Sequence, residues 1–263
     1  MQLHARDLGG PPDAPALVLL HGLLGSSRNW VAAGRQFAGH FRVFALDARN
    51  HGESPHDPVH TYAAMAADVA NWIRLHEDRP VHLLGHSMGG KTAMLLACRH
   101  PELIARLVIV DIVPKDYFGS NHHLTFRALQ NLELGLLSSR EDADRHLEPA
   151  VPDWAFRRFL LTNLERQASG WRWIVNLDVL ASSLREIEKD PLDRIDLYPG
   201  PALFVFGGNS NYFQGGDHVA VQRHFPAAEL EFIDGSGHSP HFDRPQEFCA
   251  CVKRFLLSSV STD

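Results

Sequence analysis

Ser87 stands at the centre of Gly85-His86-Ser87-Met88-Gly89, a G-x-S-x-G pattern. The apolar run Val81-His82-Leu83-Leu84 precedes it, and a helix-forming run from Gly90 to Ala97 follows. A strand, a tight turn and a helix form the setting in which a serine is lifted clear of a sheet as a nucleophile. The turn holds its serine in an unfavourable backbone conformation, and glycine two residues to either side avoids a collision. The helix N-terminus beneath the hydroxyl offers N–H groups and partial positive charge to a developing oxyanion. The same letters also spell Gly85-x-x-x-x-Gly90-Lys91-Thr92, a phosphate-loop pattern, and Leu107–Asp111 matches the apolar strand whose aspartate holds magnesium in such enzymes.

A nucleophilic serine needs a base, and the base needs an orienting carboxylate. His238 follows the last apolar strand in the loop Gly235-Ser236-Gly237-His238, and Asp111 ends the strand after the Ser87 turn. These two are the expected base and acid. His241 is the substitute base; Asp217 and then Asp234 are the alternative acids. The backbone N–H groups of Leu23 and Met88 are the expected oxyanion donors. The phosphate-loop reading gives no role to His21-Gly22-Leu23 or to the His238 loop. A phosphate loop also follows the first strand of its domain, and here at least two apolar strands come earlier. Acyl transfer by serine is therefore the expected chemistry. Nucleotide hydrolysis through residues 85–92 and a catalytically silent binding module stand as alternatives, and on the first reading Lys91 and Thr92 are simply early helix residues.

The elements that must position these groups alternate between strand and helix. Buried strands are expected at 16–21, 41–46, 81–84, 107–112, 202–206 and 230–233. Helices are expected at 29–37, capped by Ser26 or Ser27, after Thr61 through Ile73, after Ser87, and at 246–257. Such alternation predicts an α/β fold with a mostly parallel central sheet covered by helices on both faces. After Pro114 about 80 residues pass before the next buried strand, far beyond the usual connection of ~4–6. Their leucines and aromatics predict an inserted helical cap over the C-terminal edge of the sheet. The expected division is a core of 1–114 and 196–263 with a cap of 115–195.

These motifs together carry a resemblance. His21-Gly22-Leu23-Leu24-Gly25-Ser26, Asp47-x-Arg49-Asn50-His51-Gly52-x-Ser54, Gly85 to Lys91, Asp111-Ile112-x-Pro114-x-Asp116-Tyr117, Gly207-Gly208-Asn209-Ser210 and Gly235-x-Gly237-His238 occur in one chain. The chain resembles the α/β-hydrolase superfamily and, within it, the YbfF-type carboxylesterases, over nearly its whole length. The resemblance implies hydrolysis of small esters or thioesters by a Ser-His-Asp triad, without metal or organic cofactor, under a helical cap that shapes the acyl pocket. One departure matters. The wider superfamily carries its acid about three residues beyond the glycine that follows the strand ending at Phe206. That position is Ser210, flanked by Asn209 and Asn211, and none of these bears a negative charge. Asp111 is the expected acid for that reason.

Leu24, Asn50, Phe118, Phe126 and Trp173 are expected around the substrate, and Asn50 with His51 is expected to brace the oxyanion loop. His21 and His86 are expected to tie loop backbones together. His122-His123 reads as a solvated helix start rather than a metal site. Composition narrows the partners: a net charge of −6 gives no electrostatic case for nucleic acid or an anionic membrane surface. No apolar run reaches the ~20 residues of a membrane span. Three cysteines, Cys98, Cys249 and Cys251, form no disulfide framework, and the N-terminus lacks the apolar core of a signal peptide. A cytoplasmic enzyme acting on a small ester, as a monomer or a dimer, is the expectation.

Overall fold

The computed structural model describes residues 1–258; residues 259–263, the end of the expected 196–263 core segment, lie outside the described residues. The chain opens with β1 (Ala5–Asp7), β2 (Ala16–Leu20), α1 (Val31–Phe37) and β3 (Arg42–Leu46). Then come α2 (Tyr62–His76), β4 (Val81–His86), α3 (Met88–Arg99) and β5 (Ile104–Val110). Thr61 caps α2 by accepting the Ala64 N–H, as its position before the apolar periodicity predicts.

Between β5 and the next sheet strand lie α4 (His122–Gln130), α5 (Arg140–Leu147), α6 (Trp154–Leu160), β6 (Leu164–Gln167), β7 (Gly170–Trp173), α7 (Leu177–Ser182) and α8 (Leu184–Glu188). The chain closes with β8 (Ala202–Gly207), α9 (Asp217–His224), β9 (Ala228–Ile233), α10 (Pro240–Asp243) and α11 (Pro245–Leu257).

The described residues form a seven-stranded sheet in the order β1-β3-β2-β4-β5-β8-β9, parallel except for β1. Its central strands are fully buried, and they read as continuous apolar runs because helices cover both faces. One face packs Val18, Leu83, Ile109 and Phe204 against α2 and α3 residues such as Val69 and Leu96. The other packs Leu19, Leu84, Val108 and Val205 against Phe37 of α1 and Phe248, Val252 and Phe255 of α11. A third cluster, with Phe126, Leu129, Leu147, Leu160 and Leu180, gathers the segment between β5 and β8. No helix among the described residues is long and apolar enough to cross a membrane.

Two elements escape the periodicity. Strand β1 has only three residues and no apolar alternation; its pairing with β3 makes it a strand. The segment expected to be helical also contains the antiparallel hairpin β6–β7, with Leu164 opposite Trp173 and Arg166 opposite Trp171. Tryptophans two apart share one face of a strand, so they fit a ribbon better than a helix.

Parallel pairing decides what the sheet brings together. His86 lies beside Val110, Val110 beside Val205, and Gly207 beside Ile233. The residues just beyond β4, β5, β8 and β9 therefore emerge at one C-terminal edge, where open α/β sheets bind ligands.

Candidate active site

Ser87 sits between β4 and α3 at φ 53°, ψ −117°. That conformation is costly for a residue with a Cβ, by about 1–3 kcal/mol. The flanking glycines make the turn possible. A Cβ on Gly85 would stand 2.2 Å from the Gly89 carbonyl oxygen, and one on Gly89 would stand 2.5 Å from that of His21. The Ser87 N–H donates to the Val110 carbonyl and the Lys91 N–H to the Ser87 carbonyl. The turn is thus fixed at both ends.

Asp111 follows β5, also at positive φ (52°), and is fully buried. Its Oδ1 accepts the Gly207 N–H at 2.8 Å. Its Oδ2 accepts the Ser210 hydroxyl and, at 2.7 Å, the Nδ1–H of His238. A carboxylate can only accept, so His238 carries its proton on Nδ1, which leaves the Nε2 lone pair free. Asp217 does not reach His238. It accepts from Lys115 Nζ at 2.6 Å and from the Gln214 N–H at 2.7 Å. Asp234 makes no bond to His238 among the described residues. His241, the alternative base, is buried, its ring lies 4.4 Å from that of Trp30, and burial holds its pKa well below the usual histidine value.

The His238 loop is set by close backbone approach. A Cβ on Gly207 would stand 2.0 Å from the Gly237 carbonyl oxygen, so only glycine lets the end of β8 pass beneath the loop. The Gly237 N–H donates to Asp243, and the His86 Nε2–H donates to the His238 carbonyl at 2.8 Å. Burial first, and His238 second, push the His86 pKa down to about 3. His86 is therefore neutral and places no second positive charge beside His238. The Tyr212 ring stacks on the imidazole with centroids 3.8 Å apart.

Ser87 and His238 line one cavity of about 1090 Å³, together with Leu23 and Met88. No hydrogen bond joins the Ser87 hydroxyl to His238 among the described residues; such contacts are often loose before substrate binds. The N–H groups of Leu23 and Met88 donate to no acceptor among the described residues, while their neighbours do. The Leu24 N–H donates to His51 Nε2 at 3.2 Å, and the Gly25 N–H donates to the Gly22 carbonyl. His51 and His21 brace this loop: His51 Nδ1–H donates to the Arg49 carbonyl, and His21 Nε2 accepts the Ala48 N–H. Burial lowers the pKa of both rings, so each stays neutral with one nitrogen to donate and one to accept.

Of the residues expected around the substrate, Leu24 and Phe126 line the cavity and Asn50, Phe118 and Trp173 do not. Asn50 is buried at φ 67°. Its Oδ1 accepts from the Asp57 N–H and from Asn176 Nδ2, so it ties loops together. Phe118 is exposed beside Arg185. Trp173 packs on the cluster between β5 and β8. Residues that motif reading passed over take part instead. Asn163 donates to the Leu24 carbonyl at 2.7 Å, Ser210 holds Asp111, and Tyr212 covers His238. Only Ser210 carried a signal in the sequence, as the residue standing where an acid was expected.

The phosphate-loop alternative fails on position. Gly85 and His86 are strand residues, and buried Lys91 spends its Nζ on the Glu188 and Lys189 carbonyls. His122 opens α4 with Nδ1 2.7 Å from the Ser120 hydroxyl. Among the described residues no group of three or more His, Cys, Asp or Glu side chains stands close enough to hold a metal.

Comparison with known proteins identifies the family. The family model of the alpha/beta hydrolase fold matches residues 15–245. The chain is 41% identical to the mouse sn-1-specific diacylglycerol lipase ABHD11 over 257 residues, covering 95% of this chain and 83% of that protein. It is 32% identical to Esterase YbfF of Escherichia coli, covering 91% of this chain and 92% of that protein. The solved structure of a marine microorganism esterase superposes with a TM-score of 0.93 at 32% identity, covering 97% of this chain and 99% of that one. The chain belongs to the alpha/beta hydrolase fold family, as a carboxylesterase-type hydrolase that cleaves esters.

Proposed function

We propose that Ser87, His238 and Asp111 carry this hydrolysis through an acyl-enzyme. His238 Nε2 takes the Ser87 proton as Oγ attacks the ester carbonyl. Asp111 holds the imidazole in the Nδ1–H tautomer and stabilises the cation that forms. The N–H groups of Leu23 and Met88 receive the oxyanion, each donor of this kind worth about 3–4 kcal/mol of barrier. The imidazolium then protonates the departing alcohol or thiol, and water repeats the cycle to release the acid. The observation that carries the proposal is the half-buried 2.7 Å bond from His238 Nδ1 to Asp111, made by a histidine that lines the same cavity as Ser87.

Residues 115–195 act as a cap in this reading, and 1–114 with 196–263 as the core. Support comes from the separate apolar cluster of the intervening segment, several of whose residues line the cavity. Phe126, Phe159 and Leu161 there favour an apolar acyl group on a small ester or thioester. A cytoplasmic setting belongs to the same proposal and rests on the three unpaired cysteines.

Fluorophosphonate labelling with mass mapping, beside p-nitrophenyl ester turnover, tests the proposal. The probe should mark Ser87, and Ser87→Ala should lose both labelling and covalent turnover. A Ser87→Ala protein that still turns over esters at the parent rate would refute it.

A further inference from the structure

Lys91 is almost wholly buried, one turn into α3 from Ser87, and it lines the same cavity. Its Nζ donates to the Glu188 carbonyl at 3.1 Å and to the Lys189 carbonyl at 2.6 Å. These carbonyls belong to the C-terminal end of α8, which is where a cation satisfies groups the helix leaves unpaired. Two aromatic faces close over the ammonium, Tyr117 at 4.9 Å and Tyr62 at 5.7 Å from their centroids. The same stretch is held from other directions. The Tyr62 hydroxyl donates to the Ile187 carbonyl at 2.6 Å, the Tyr117 N–H to the Glu188 carbonyl, and the Asp190 N–H to Asp116. Ile187 and Glu188 are themselves cavity wall.

We propose that Lys91 is a positioning residue: its ammonium fastens the end of α8 onto α3 beside Ser87 and so fixes the wall that limits the length of acyl group the site accepts. This rests on the ester-hydrolase reading above. The buried charge is held by carbonyls and aromatic faces rather than by a direct ion pair among the described residues. Asp190, Asp116 and Glu188 attract it and Lys115 repels it, but desolvation dominates and brings its pKa from 10.5 down to about 8. A neutral amine donates less strongly, so the wall should loosen as pH rises through that value. His122, the other titrating group at Glu188, has a pKa lowered by burial, so it has already lost its proton in this range.

The test compares kcat/KM for p-nitrophenyl octanoate and acetate in the whole protein. Lys91→Met should shift their ratio fivefold or more towards octanoate, chiefly through KM. Tyr62→Phe, which removes only the bond to the Ile187 carbonyl, should shift it the same way by a smaller factor. Lys91→Arg, which keeps the donors, should restore the ratio to within twofold. In the parent protein the ratio should move between pH 7 and pH 9. Ratios that stay within twofold in Lys91→Met and Tyr62→Phe would overturn the proposal while leaving the ester reading intact. Should Lys91→Met fail to fold, a flat parent ratio across that pH range together with an unshifted Tyr62→Phe would overturn it. Parent protein that turns over neither ester would sink the ester reading and this one together.

Discussion

Replacing Asp111 by asparagine exchanges one oxygen for an NH₂ group and leaves the volume unchanged. The structure dictates which way the amide must face. The Gly207 N–H is a fixed backbone donor and needs an acceptor, so the asparagine oxygen takes the Oδ1 position. The NH₂ group then stands where Oδ2 stood, facing His238 Nδ1 and the Ser210 hydroxyl. Imidazole can meet that NH₂ only with an unprotonated Nδ1, which moves its proton to Nε2. The nitrogen that should receive the Ser87 proton is then already protonated. Loss of the negative charge also removes support for the imidazolium. The order found when a triad carboxylate becomes an amide is roughly 10⁴ in kcat, or about 5.5 kcal/mol of barrier. Initial rates on p-nitrophenyl esters, with the melting temperature as a folding control, read this directly. Asp217→Asn disturbs the partly exposed pair with Lys115 and the bond from the Gln214 N–H, neither of which touches His238, and should change turnover by less than about threefold. A folded Asp111→Asn protein that keeps a tenth of parent activity, or an Asp217→Asn protein that loses as much as Asp111→Asn, would refute the argument.

Removing the Asn163 amide with Asn163→Ala frees the Leu24 carbonyl and loosens the loop that carries the Leu23 N–H; a loss of about 1–2 kcal/mol, read as a five- to thirtyfold fall in kcat, is expected. Gly89→Ala drives a Cβ into the His21 and Leu20 carbonyls at 2.5 and 2.6 Å, so destabilisation of about 3 kcal/mol or more should appear in urea unfolding. Acid should unfold the protein through its buried histidines. Burial lowers His60 and His82 from 6.5 to about 4, so between these values the unfolded chain binds more protons and stability falls as pH falls. Each contributes at most about 3.5 kcal/mol across that window, and His60→Asn should flatten the dependence of unfolding free energy on pH between 6.5 and 4.

The alternation of apolar runs with helical periodicity was enough to predict the parallel sheet, because a strand buried on both faces has to be apolar throughout. Ser87 was equally legible: a strained turn between strand and helix demands glycine at 85 and 89, so backbone sterics write it into local sequence. The nearness of His238 and Asp111 was inferable from chain order alone, since parallel strands deliver their loops to one edge. Asp111 was preferred to Asp217 from its position in the chain, but what each carboxylate meets was not legible. It depends on where Lys115 and Gly207 stand in space, and these lie about a hundred residues from their partners. Tertiary packing alone also decided that Lys91 faces the carbonyls of α8 and that Asn50 holds loops instead of lining the cavity. Periodicity reports which face of an element is buried, but it is blind to which distant groups meet there, because those contacts arise only once the whole chain has closed around them.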